Sequence, residues 1–287
     1  MYEFCNEYEF MFKNIISAVY TYLIANNHIK SLIVGMSGGI DSALTAALAV
    51  KAIELFIPDN KIVVKGVVID IESKKEEILR GIKAAEALCH DHRYINMEKS
   101  LYAITQDIEL DRSSNDDIKT RIRIGNIKAR LRMQCLYDIA KNTDGIVLST
   151  DNYTEYLLGF WTLHGDVGDF GIIQGLWKTE VYGLANYLVK LFRSDHQNEK
   201  ANILQEIIES MPTDGLGITD TDFDQIYPDA DKSLSPDEIY NRIDTVLYNF
   251  IVQENNMNNE VVNRYKFTEF KRNNPFNIQR DHIIPLN

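Results

Sequence analysis

Gly35-Met36-Ser37-Gly38-Gly39-Ile40-Asp41-Ser42 is the stretch from which the rest of this chain is read. The apolar run Leu32-Ile33-Val34 precedes it and predicts a buried strand, and the residues from Asp41 to Phe56 predict a helix. A strand that turns sharply into a helix leaves unpaired backbone N–H groups at the positive end of the helix dipole. Gly38 and Gly39 let that backbone come close to a ligand, and Ser37 and Ser42 add hydroxyl donors. The stretch therefore predicts an anion cradle, most naturally for phosphate.

No Gly-Lys-Ser/Thr follows, so this is not a Walker A loop. Asp41 would repel phosphate unless it holds a magnesium ion that bridges to it. The plainer reading makes Asp41 an ordinary helix cap. Ser-Gly-Gly-x-Asp-Ser after a strand resembles the pyrophosphate loop of the N-type ATP pyrophosphatases. That resemblance implies cleavage of ATP to AMP and pyrophosphate while a carboxylate or carbonyl oxygen is activated.

Working outward, Glu7 to Asn26 carries apolar residues at helical spacing (Phe10, Ile15, Ala18, Val19, Tyr22, Leu23) and predicts an amphipathic helix. Pro58-Asp59-Asn60 predicts a turn, and the β-branched run Lys61 to Ile71 a second buried strand. A helix from Ser73 to Cys89 follows, with Ser73 and Glu76 spaced as a capping box. A short strand near Arg93-Tyr94-Ile95, a helix near Glu98 to Ile108, a long helix from Asn115 to Lys141 and a strand over Gly145 to Ser149 continue the alternation. This rhythm predicts an α/β fold, a doubly wound parallel sheet with helices on both faces. Ligands of such sheets bind beyond the carboxyl ends of the strands, where Gly35 to Ser42, Thr150 and Glu155 are expected to meet. Glu155 also suits a first-turn acid stabilised by the helix dipole. Met211 to Asp231 holds prolines, glycines and many aspartates without a period, and predicts a long irregular loop that closes over ATP. The asparagine-rich segment Glu254 to Glu260 predicts a loop between two C-terminal helices.

At 287 residues, 45% hydrophobic and 25% charged, the composition is that of an ordinary globular protein. Three cysteines without a CxxC pair argue against a disulfide framework or a cysteine zinc site, and fit a reducing cytoplasm. No apolar run approaches a membrane span, and the acidic N-terminus lacks a signal-peptide pattern. A net charge of −12 argues against nucleic acid as a partner. Lys119, Arg121, Arg123, Lys128, Arg130 and Arg132 nevertheless crowd one helix. Such a run suits a solvated helix face as well as a basic patch for a polyphosphate ligand.

Further stretches narrow the resemblance. Gly125-Asn126-Ile127-Lys128-Ala129-Arg130 resembles the Gly-Asn-x-Lys-Ala-Arg segment of NAD synthetases. Thr150-Asp151-Asn152, Glu155 and Gly159-Phe160 are similar to that family's Thr-Asp-His … Glu … Gly-Phe stretch. Gly165-Asp166, Pro212-Thr213 and Lys271-Arg272 match later segments in the family's order. The chain departs from the pattern at Asn152 and Phe270, each in place of histidine, and at Val167 in the Gly-Asp-Gly-Gly stretch. The segment before Lys178 is one residue shorter than usual, which bears on Asp169.

The resemblance implies an ammonia-dependent ligase of one synthetase domain over residues 1–287. It would convert deamido-NAD to NAD through an adenylate that ammonia attacks, releasing AMP and pyrophosphate. Carried over by residue, Ser37, Gly38, Gly39, Asp41 and Ser42 would hold pyrophosphate, with Asp41 and Lys178 central to catalysis. Asp41 and Glu155 would bind magnesium, Thr150 and Thr213 would contact ATP, and Lys178 would neutralise a phosphate. Asn126, Arg130, Asp166, Asp169 and Lys271 would lie near deamido-NAD. For Lys178 and Lys271 the bland alternative is a solvated surface lysine. The phosphate loop begins at residue 35, leaving no room before it for an amidase domain, so free ammonia is the expected donor. The family implies a homodimer with deamido-NAD at the subunit contact. Two rival readings are another amidating or thiolating pyrophosphatase and a non-catalytic nucleotide sensor. Thiolation usually wants paired cysteines, and a sensor is expected to lose its metal acids.

Overall fold

The computed structural model describes residues 4–57, 62–112, 117–254, 257–280 and 283. In chain order the elements are α1 (Tyr8–Ala25), β1 (Ser31–Gly35), α2 (Ile40–Phe56), β2 (Val63–Asp70), α3 (Lys75–Leu88), β3 (Asp91–Asn96) and α4 (Glu98–Asp107). Then come α5 (Ile118–Asn142), β4 (Gly145–Ser149), α6 (Tyr153–Leu158), β5 (Phe170–Gly171), α7 (Lys178–Ser194) and α8 (Asn198–Glu209). The chain ends with α9 (Phe223–Ile226), α10 (Pro236–Ile251), α11 (Glu260–Phe267) and α12 (Glu269–Arg272).

The sheet runs β3-β2-β1-β4-β5, and every neighbouring pair is parallel. Strand β1 sits in the middle, and its three apolar side chains are sealed because both faces are covered. Alternate residues point to opposite faces. Leu32 and Val34 join the core built with α1, α2, α7 and α8, whereas Ile33 joins Leu131 and Leu136 of α5 and Leu101 of α4. From β1 the chain winds one way to β2 and β3, and β4 returns to the other side of β1. The carboxyl ends of β1 and β4 therefore border a switch point, the position where open α/β sheets bind ligands.

Several expectations are corrected. Helix α1 buries Phe12, Ile16, Val19 and Leu23, while Phe10 is 61% exposed. The true stripe keeps i, i+4, i+7 spacing from Phe12, so Phe10 falls on the solvent side. Ser73 does not cap α3; the cap position is Lys74, without a side-chain bond. The Ser73 hydroxyl instead accepts from Arg132 Nη2 at 3.1 Å. The stretch from Met211 to Asp231 is not irregular throughout: α9 lies within it, Ile218, Phe223 and Ile226 are buried, and the Phe223 ring packs 5.0 Å from that of Tyr240. The predicted turn at Pro58-Asp59-Asn60 and the start of the long helix at Asn115 lie outside the described residues. Strand β5, two residues long, carries too little pattern to be read in advance. Among the described residues, no helix is long and apolar enough to cross a membrane, and Cys5, Cys89 and Cys135 are free thiols.

Candidate active site

The turn from β1 into α2 is shaped by its glycines. Gly38 has φ +82°, and a Cβ there would lie 2.6 Å from the carbonyl oxygen of Glu77. No side chain fits, which lets α3 press against the loop; Arg80 Nε donates to the Gly38 carbonyl at 2.6 Å. Gly39 is the extended N-cap of α2 and has no capping side chain, so the first N–H groups of that helix stay open to a ligand. Ser37 Oγ accepts from Gly39 N at 3.2 Å and lies 3.2 Å from Ser42 Oγ.

Asp41 stands in the first turn of α2 and does not cap it. Its Oδ2 accepts from Lys178 Nζ at 2.5 Å, and its Oδ1 from Asn152 Nδ2 at 2.9 Å. Lys178 also donates to Glu155 Oε1 at 2.9 Å. It is 1% exposed, which disposes of the surface-lysine alternative. Asn152 and Glu155 form a reciprocal capping box on α6, so the residue that replaces the family's histidine both starts that helix and orients Asp41.

One ammonium cannot neutralise two carboxylates. Burial, then Asp41, pushes the Glu155 carboxyl up from its ordinary range. Burial alone would lower the Lys178 ammonium, yet Asp41 and Glu155 outweigh it and hold its pKa well above the usual value. The cluster thus keeps the lysine charged and leaves one negative charge poorly compensated. Burial likewise raises Asp151 and Asp222 to about 7. A dry site rich in acid is short of cations.

These groups line a cavity of about 590 Å³, within the size range of small-molecule sites. The cavity brings together Ser37, Gly39, Asp41, Ser42, Thr150, Glu155 and Lys178 at the switch point. It also reaches Asn126, Asp166, Thr213 and Lys271. Thr213 Oγ1 donates to Glu77 Oε1 at 2.6 Å. Asp166 accepts from the Thr162 backbone N–H, and Thr162 Oγ1 donates to Asn126 Oδ1 at 3.2 Å. Lys271 donates to the Gly159 carbonyl at 2.7 Å, and burial lowers its pKa to about 8.

Three predicted residues do not line the cavity. Gly38 lies against α3. Arg130 is exposed and donates to the Leu163 carbonyl at 3.2 Å. Asp169 accepts from Val147 N at 3.0 Å and Tyr137 Oη at 2.8 Å, tying β5 to β4 and α5. Conversely, Arg80, Asp151 and Asp222 line the cavity without having been given a role in advance, and of the basic run on α5 Arg132 alone reaches it. Asp151 had a signal, since it directly follows Thr150 at the end of β4. Asp222 had none among the aspartates around it, yet its Oδ1 is buried without a partner.

The NAD synthase family model matches residues 12–275. The chain belongs to the NAD synthase family. It is 35% identical to the NH3-dependent NAD(+) synthetase of Alkaliphilus metalliredigens, covering 67% of this chain and 71% of that one. Identity to the NH3-dependent NAD(+) synthetase of Methanococcoides burtonii is 36%, with 72% of each chain covered. Among solved structures it resembles the NH3-dependent NAD synthetase of Campylobacter jejuni, with TM-score 0.64, 22% identity, and 95% and 100% of the two chains covered. It also resembles an NMN synthetase of Francisella tularensis, with TM-score 0.68, 22% identity and 99% of each chain covered. These structural likenesses establish the parallel-sheet fold of the NAD synthase family for this chain. They leave the reading of the site to its own residues.

Proposed function

We infer that this chain is an ATP-dependent ligase that amidates deamido-NAD to NAD, with ammonia as nitrogen donor. One observation carries the residue assignment: Asp41, Glu155 and Lys178 converge at the switch point beside the open N-terminus of α2. The reaction activates a carboxylate by adenylation, and its transition state is rich in negative charge. Such chemistry calls for N–H donors and cations more than for acid–base groups.

The nicotinate carboxylate attacks the α-phosphorus of ATP, the bond to pyrophosphate breaks, and ammonia then displaces AMP from the acyl-adenylate. In this reading the α2 N-terminus, the hydroxyls of Ser37 and Ser42 and the Lys178 ammonium receive pyrophosphate. Thr150 and the Thr213 region hold ATP, and Asn126, Asp166 and Lys271 face deamido-NAD. Arg130 and Asp169 lie off the cavity, so a role for them toward deamido-NAD belongs with a second protomer. The donor set fits magnesium: two carboxylates already converge on one cation, and a further positive charge relieves the excess acid. Magnesium, held by Asp41 and Glu155, would neutralise phosphate charge during the transfer. We assign the chain to one synthetase domain, a homodimeric state and the cytoplasm. Sedimentation of the purified chain at twice 33.0 kDa is the expected mark of the dimer.

The deciding experiment supplies ATP, magnesium, deamido-NAD and ammonium together and in turn. AMP and pyrophosphate should appear with NAD only when all four are present, and glutamine should not replace ammonium. Pyrophosphate release without deamido-NAD, or turnover on ammonia-free glutamine, would overturn the reading.

A further inference from the structure

A second cavity, of about 310 Å³, lies outside the active site between α5, the turn after β2 and the tip of the 211–218 loop. Its lining carries Glu72, Arg112, Arg121 and Lys128, with Tyr102 and Leu216. Three cations face one carboxylate, in a protein whose net charge is −12. Glu72 is spent on Arg112, whose Nη2 donates to both carboxylate oxygens at 2.5 and 2.6 Å. Lys128, 6% exposed, comes no closer than 3.9 Å to that carboxylate and reaches only the carbonyls of Glu72 and Leu216, each at 3.4 Å. Burial lowers its pKa, and the pull of Glu72 offsets this only in part. Arg121 Nε is buried without a hydrogen-bond acceptor, and among the described residues its guanidinium has no ion pair. Tyr102 Oη accepts from Gln106 Nε2, which leaves its own proton free to donate.

We propose that Arg121, Lys128 and Arg112 form a second anion site, built for a small phosphate-class oxyanion. Guanidinium groups present planar forks of N–H donors that match phosphate oxygens, and a doubly charged anion complements Arg121 together with Lys128, whose pairing with Glu72 is long and shared with Arg112. The site is coupled to the crevice by contact. Leu216 lines both cavities, and its carbonyl is one of the two held by Lys128. One turn further along α5, Arg132 holds the Gly215 carbonyl at 2.8 Å. An anion that draws Lys128 toward itself competes for the Leu216 carbonyl, and so acts on the loop tip that borders the active site. Inorganic phosphate and pyrophosphate share the required chemistry. The second would make the site a sensor of a product.

The test uses the full chain and does not depend on turnover. Labelled inorganic phosphate and, separately, pyrophosphate are titrated by equilibrium dialysis into wild type, Arg121→Gln and the crevice variant Ser37→Ala/Ser42→Ala. Arg121→Gln should weaken one class of binding by about tenfold or more, as for loss of a charged hydrogen bond. The crevice variant should retain that class. Tighter binding of pyrophosphate identifies the product as the ligand, and tighter phosphate identifies the free ion. Amide hydrogen exchange on wild type supplies a readout that needs no variant: phosphate should protect 121–128 and alter exchange at 215–217. Unchanged binding in folded Arg121→Gln, loss of all binding in the crevice variant, or no exchange response at these segments overturns the proposal.

Discussion

Lys178 meets its two acids across 137 and 23 residues of sequence, in a place water barely reaches. Removing a charge from such a cluster costs more than the contact it made, because the remaining acids are left facing each other. Lys178→Met should therefore lower the stability of the free chain by about 3–5 kcal/mol. Magnesium should restore part of that loss, since a metal ion can stand where the ammonium stood. Urea melts with and without magnesium check this; a variant as stable as wild type would show the three-group cluster to be weakly coupled. Asp41→Asn acts differently. It keeps the fold but gives up a carboxylate that an amide does not replace toward magnesium. Turnover should be abolished while the melting temperature stays near that of wild type, and near-normal activity at limiting magnesium would take Asp41 out of the mechanism. Both residues were visible beforehand as types in a motif. Their mutual contact was not, because no periodicity in a sequence encodes a pairing across the sheet.

The loop from Met211 to Asp231 shows how an element can be half legible. Its first part lines the crevice, and Asp214 closes it locally by accepting from the backbone N–H groups of Leu216, Gly217 and Ile218 at 2.8–3.3 Å. Its second part is pinned: Phe223 and Ile226 enter the core, and Tyr240 Oη donates to Asp222 Oδ2 at 3.0 Å. Asp214 and Asp224 accept from groups of the loop itself, the latter from the Thr221 N–H and hydroxyl at 2.9 and 2.8 Å. A covering role over ATP thus falls to the part before Ile218. Limited proteolysis of the free chain should cut within 213–217 and spare 222–227, and ATP with deamido-NAD should suppress the first cuts. Equal cleavage at 213–217 with and without ligands would mark the loop as a fixed wall. The misread stripe of α1 has a related cause. Aromatic and aliphatic residues are dense enough there that two phases of the helix look apolar, and only packing against α2 and α7 selects one.

At the scale of the molecule, the crevice gathers acids that the fold holds above their ordinary pKa. Asp151 and Asp222 are raised from 3.8 to about 7, in both cases chiefly by burial. A carboxyl whose folded pKa is raised contributes stability that is fully present below its unfolded pKa and lost as pH rises through the folded value. The ligand-free chain should therefore lose stability between about pH 4 and pH 7. Urea midpoints across that range check it, and Asp222→Asn should flatten the profile. A midpoint that rises with pH would mean these acids are ionised and paired in the fold. The order of residues was enough to establish the strand–helix alternation, the parallel sheet, the phosphate loop and the crevice beyond β1 and β4. Those features rest on apolar runs, helical spacing and short motifs, which act over a few residues and survive as pattern. The folded chain was needed to seat Lys178 between Asp41 and Glu155, to turn Asn152 toward Asp41, to take Asp169 out to the β4–β5 edge, and to leave Arg121 and Lys128 short of partners. Each of these depends on desolvation and on contacts between distant segments, and the free energy of a charged group is set by surroundings that only the tertiary structure assembles.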